Sequence, residues 1–226
     1  MDIATFITSI ITALTALFGG ATTPADNIAT GNDISVTVTI PEKPFADIAQ
    51  QAYDLEVKGR SPKTGYERDL FGKGWKDIDT NGCDARNDIL ARDLDGIQVK
   101  ADGCVVVSGV LHDPYTGQTI NFERGQDTSR LVQIDHVVAL SDAWQKGAQA
   151  WDEKKRVTFA NDPLNLLAVD GQANAQKRDS DAATWLPSNK EYRCTYVAKQ
   201  VVVKHSYGLW VTQAEKDAMI SILDNC

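Results

Sequence analysis

A chain of 226 residues with 42% hydrophobic and 24% charged positions is long enough for one compact domain plus a short leader, and it contains no repeats. Its formal net charge of −8 weighs against tight nonspecific binding of nucleic acid, which depends on clustered lysine and arginine. That balance leaves room for a hydrolase with a local basic groove, where a bound divalent cation adds positive charge beside a phosphate.

Residues 3–18, IATFITSIITALTALF, carry no charge and are followed by Gly19, Gly20 and Ala21, the pattern of a signal-peptide core and its cleavage region. The segment is too short and too rich in threonine to read as a membrane span, although the positive charge that usually precedes a signal core is missing. Its apolar residues Ile3, Phe6, Ile7, Ile10, Ile11, Leu14, Leu17 and Phe18 also fall on one helical stripe. Residues 1–25 are therefore expected to be a signal peptide or an N-terminal apolar helix. Residues 26–44, mixing Thr, Asp, Asn, Gly and Pro, read as a flexible linker, and the folded domain is expected over 45–226. The four cysteines, Cys83, Cys104, Cys194 and Cys226, are too scattered for the paired knuckles of a zinc site and suit disulfides. Three pairings are possible; proximity in sequence favours Cys83–Cys104 with Cys194–Cys226, and disulfides with a signal-like segment point to secretion.

Within the domain, Phe45, Ile48, Ala52 and Leu55 have helical spacing over 45–57. The turn-rich run after it gathers the positive charges of Lys58, Arg60, Lys63 and Arg68, either as a solvated loop or as a phosphate-facing one. Asp77, Asp79 and Asn81 alternate before Gly82 like the oxygen ligands of a calcium loop. Cys83 interrupts that loop, and Asp88 stands where a bidentate Glu is normal. Residues 104–122 read as a β-hairpin turning at Asp113–Gly117. A short apolar strand then delivers Asp135 and His136 ahead of a helix expected over 140–151. A second apolar strand, LNLLAV, leads through Asp170-Gly171 into a polar helix, and two further helices are expected near 188–204 and 212–224.

Hydrolysis of a phosphodiester near neutral pH needs a base for water, positive charge for the phosphorane, and groups that hold both. His136, one of three histidines, is basic in its neutral form, and Asp135 is a hard oxygen ligand suited to Mg²⁺ or Mn²⁺. On a regular strand the two point to opposite faces, so they share a site only where the strand bends or ends. Downstream lie Asn165-Leu166 and Asn174-Ala175-Gln176-Lys177 in a strand–turn–helix context.

The stretch DHVVAL…NDPLNLLAVDGQANAQK…WLP resembles the HNH nuclease motif, in the variant shared by secreted bacterial HNH proteins and the C-terminal nuclease domain of GmrSD-type restriction enzymes. The similarity runs over most of 57–226 and includes KGRSPKTGYERDLFG and NGCDARNDILARDL. It implies an α+β fold with a ββα-metal core and flanking helices, stapled by disulfides. It also implies metal-dependent cleavage of DNA, or RNA, with low sequence specificity. By that resemblance His136 is the general base, Asp135 and Asn174 hold one divalent ion, and Asn165 holds the turn and orients His136. Asparagine at the third motif position, often histidine in HNH enzymes, favours Mg²⁺ or Mn²⁺ over Zn²⁺. Lys177 stands one helical turn beyond Asn174, either stabilising phosphate charge or facing solvent. Arg68 and Arg86 are candidate phosphate contacts, with ion pairing to nearby aspartates as the alternative. His112, His205, Asp142, Asp162 and Asp179 read as structural, and Trp144, Trp151 and Trp185 as packing residues. Competing assignments are a non-catalytic secreted binding module and a hydrolase of another phosphoester, which suits the acidic balance better.

Overall fold

The computed structural model describes residues 45–226, so the signal-like segment and the linker lie outside the described residues. The first helix, α1 (Ala46–Asp54), buries Ala49 and Ala52 against two C-terminal helices, α6 (Arg193–Tyr207) and α7 (Gln213–Leu223). Helix α2 (Ala85–Asp93) is started by Asp84, whose side chain accepts from Asn87 N at 2.9 Å. It packs on a three-stranded antiparallel sheet of β1 (Leu94–Val99), β2 (Val106–His112) and β3 (Thr119–Glu123), in that order. The expected hairpin is β2–β3, turning where Asp113 Oδ2 accepts from Thr116 N at 2.7 Å.

Strands β4 (Val132–His136) and β5 (Leu166–Asp170) form a separate antiparallel ribbon, with Asp135 opposite Leu167 and His136 opposite Leu166. One face of the ribbon sends Ile134, Leu166 and Ala168 toward α2 and the sheet. The other sends Leu167 and Val169 toward α1, α6 and α7. Burial on both faces explains why LNLLAV is an unbroken apolar run rather than an alternating one. The chain passes directly from β5 into α5 (Gly171–Lys177), capped by Asp170, whose Oδ1 accepts from Ala173 N at 2.7 Å. Gly171 is required there: a Cβ would lie 2.1 Å from the Arg130 carbonyl oxygen. The domain is thus α+β, and the pairings Cys83–Cys104 and Cys194–Cys226 are those favoured by sequence proximity.

Between β4 and β5 run α3 (Leu140–Gln145) and α4 (Glu153–Asn161). The helix expected over 140–151 stops at Gln145, because Gly147 takes φ 130° and a short 3₁₀ turn at Ala148–Ala150 follows. The helix expected from 188 starts at Arg193, after a 3₁₀ turn at Lys190–Tyr192 whose Asn189 side chain accepts from Glu191 N. It then runs to Tyr207, where Gly208 at φ 67° ends it.

A buried ionic knot ties these helices together. Lys146 contacts Asp142, Asp181 and Glu215 at 2.6–2.8 Å, and Lys204 contacts Asp142 and Glu215 at 2.8–2.9 Å. Arg60 closes it on Asp142 and Asp181, so this arginine of the basic run serves the fold. Trp144, Trp151 and Trp185 pack edge-on against Tyr66, Phe159 and Tyr115 respectively.

Candidate active site

His136 ends β4 and is 6% exposed. Its Nε2 lies 2.8 Å from the Ala160 carbonyl of α4. A carbonyl only accepts, so Nε2 carries the proton and Nδ1 is the unprotonated nitrogen. Burial pushes the imidazole down to about 3; the Ala160 contact opposes this, and the charges of Arg68 and Lys177 reinforce it. The ring is therefore neutral at any physiological pH. The next two residues are clamped by fully buried Asn165: its Oδ1 accepts from Val138 N at 2.8 Å, its Nδ2 donates to Val138 O, and its carbonyl accepts from Val137 N.

The imidazole lines a cleft of about 180 Å³ shared with Arg68, Trp75, Leu140 and Asn161. The Trp75 ring stacks on His136 with centroids 5.6 Å apart and planes 12° from parallel. Arg68 begins a 3₁₀ turn at Arg68–Phe71 and is exposed. Of the basic run, Lys58, Arg60 and Lys63 pair with Glu56, Asp142 and Asp179, whereas Arg68 has no carboxylate partner among the described residues. A neutral imidazole and an uncommitted guanidinium at one cleft can take a proton from water and neutralise an anionic ester.

Asp135 points to the opposite face of the ribbon, 4% exposed, because successive strand residues alternate. Its Oδ1 accepts from Lys177 Nζ at 3.0 Å and its Oδ2 from Tyr115 OH at 2.6 Å. Fully buried Lys177 also donates to the His136 carbonyl at 2.8 Å. Asn174 gives its amide to Gln133 Oε1 at 2.9 Å. Asp135 does not fit the divalent-ion role that the resemblance assigns it: each carboxylate oxygen already accepts a hydrogen bond, and a cation there would sit against the Lys177 ammonium. No cluster of three or more His, Cys, Asp or Glu suited to a metal occurs among the described residues. Lys177 likewise has no access to a phosphate in the cleft, since it is spent on Asp135.

Arg86 does not line the cleft. It is half-buried and reaches the Val132 carbonyl at 3.4 Å, with burial and neighbouring Arg124 lowering its pKa. His112 is exposed on the hairpin beside Thr119 and Asp95, and His205 is exposed on α6. Asp162 accepts from Tyr207 OH, and Asp179 from Ser141 and Lys63. No sequence signal marks Asn161, or Tyr115 as the partner of Asp135. An aromatic residue outside any periodic segment is the one hint at Trp75.

A family model described as "GmrSD restriction endonucleases, C-terminal domain" matches residues 84–222, and the chain belongs to that family. An uncharacterized secreted protein of Arthroderma benhamiae is 40% identical over 192 residues, covering 83% of this chain and 89% of that protein. That relative is fungal, so the kinship reaches beyond the bacterial proteins the motif resembles. No solved structure matches. With a secreted relative and both disulfides in place, the chain is a secreted protein, and no helix among the described residues is long and apolar enough to cross a membrane.

Proposed function

We propose that this protein is a secreted nuclease that hydrolyses phosphodiester bonds of DNA, or RNA, with low sequence specificity, around a ββα core formed by β4, β5 and α5. The observation that carries the proposal is the neutral His136 imidazole, tied by Ala160 at a cleft that also holds Arg68, which has no carboxylate partner among the described residues. Family membership supports the reaction class.

In this scheme His136 Nδ1 takes a proton from water as the water oxygen bonds to phosphorus. Arg68 neutralises the charge gathering on the phosphorane. The bond to the leaving oxygen breaks, and that oxygen is protonated from solvent. A base pushed down to about 3 is always unprotonated at neutral pH but weak. Burial is the main cause of the depression, and bound phosphate offsets only the lesser part that Arg68 contributes. A divalent ion, Mg²⁺ or Mn²⁺ ahead of Zn²⁺, enters as an arm of the test, because the Lys177 ammonium already occupies the carboxylate that would hold it.

The proposal is tested by offering the oxidised protein supercoiled plasmid, single-stranded DNA, RNA and a small aryl phosphodiester, each with Mg²⁺, Mn²⁺, Zn²⁺ or EDTA. Cleavage of a polymer that weakens about 10-fold or more in Arg68→Ala is expected. Turnover of the small ester alone would favour a different phosphoesterase, as the net charge of −8 allows. No turnover of any substrate would leave a non-catalytic binding module.

A further inference from the structure

The Ala160 contact fixes one edge of the His136 ring, but a single hydrogen bond does not by itself set the plane of the ring about its broad terminal torsion. A second restraint is needed to aim Nδ1. We propose that Trp75 is that restraint, a positioning residue whose indole sets the plane of the His136 imidazole, with Asn161 holding the Trp75–Lys76 backbone in register. The inference rests on the nuclease reading, in which His136 is the base.

Three observations support it. The indole and imidazole lie nearly parallel at 5.6 Å, the geometry of an offset stack rather than an edge contact. Asn161 is 1% exposed, and its Oδ1 accepts from Lys76 N at 2.8 Å while its Nδ2 donates to Val157 O at 2.9 Å. The Lys76 carbonyl in turn accepts from Ala85 N at 3.0 Å, anchoring the segment to the start of α2. Consecutive residues at the end of α4 therefore hold His136 twice: Ala160 directly at its edge, and Asn161 through the segment lying on its face.

Trp75 also packs against the apolar cluster around α2, so the test must separate flat stacking from burial. Trp75→Leu keeps an apolar side chain without a flat face, and Trp75→Phe keeps both. In the folded, oxidised protein, Trp75→Leu is expected to lower kcat about 10- to 100-fold with KM changed less than about threefold, while Trp75→Phe stays within about threefold of the parent. A readout independent of activity is the ring-current shift of the His136 imidazole protons, assigned by their loss in His136→Ala among the three histidines. That shift should collapse in Trp75→Leu and persist, reduced, in Trp75→Phe. Equal kcat in the two variants, a change confined to KM, or an unaltered His136 shift in Trp75→Leu overturns the proposal. If the parent cleaves nothing, the nuclease reading fails by itself, and the proton shifts still decide whether the Trp75 indole lies on the His136 ring.

Discussion

His136 is buried with a depressed pKa, and this couples the candidate base to folding. Its imidazole sits near 6.5 when unperturbed and about 3 in the fold, so the unfolded chain binds the proton more readily. The contribution to stability is complete above pH 6.5 and is lost as pH falls toward 3. At about 1.4 kcal/mol per unit it amounts to several kcal/mol. Urea denaturation at stepped pH should show a decline across that window that flattens in His136→Asn. Asp181, held down at about 2 by Lys146, Thr184 and Arg60 against its burial, adds its loss only below about 4, so the decline above that pH is the part that reports His136. His136 itself is legible from the amino-acid order, because the Asp-His step and the downstream asparagines resemble a known motif. Trp75 and Asn161 are not, since hydrophobic periodicity says nothing about which loop folds over a strand end.

The unit that carries the site at the level of elements is β4, β5 and α5, with α4 laid across the end of β4. The Asp135–Lys177 pair joins strand to helix, and Tyr115 brings in the hairpin turn. Removing one partner of a buried pair leaves an uncompensated charge, so Lys177→Met should cost about 3–5 kcal/mol in urea unfolding. The double variant Asp135→Asn/Lys177→Met should recover most of it. A Lys177→Met protein of unchanged stability that had lost only turnover would instead return Lys177 to the phosphate. The strands and the hairpin can be read from the sequence because their apolar runs are bounded by turn residues. Two helix limits differ from the periodicity for local reasons: Gly147 adopts a positive φ inside an apparently continuous pattern, and Asn189 starts a 3₁₀ turn before α6. The side-chain partners of Asp135 are hidden because Tyr115 reaches it from the hairpin turn of another sheet.

The whole molecule is a secreted, acidic domain closed by two disulfides. The loops they close span 21 and 32 residues, for which loop entropy gives about 3–4 kcal/mol each, so Cys194→Ser/Cys226→Ser should lose roughly that in equilibrium unfolding. A net charge of −8, with Arg68 the one cation lining the cleft among the described residues, implies few phosphate contacts. Cleavage should therefore fall only gently with salt, with a logarithmic slope near −1 for each contact, against the steep dependence of a basic binder. In the proposed reaction His136 performs chemistry on nucleic acid at this cleft. The most direct test compares supercoiled plasmid and RNA cleavage by the oxidised protein and by a folded His136→Ala variant, with Mg²⁺, Mn²⁺ or EDTA. Cleavage by the parent that drops about 100-fold or more in the variant is the predicted result. Equal cleavage by both, or none by either under every condition, would contradict it.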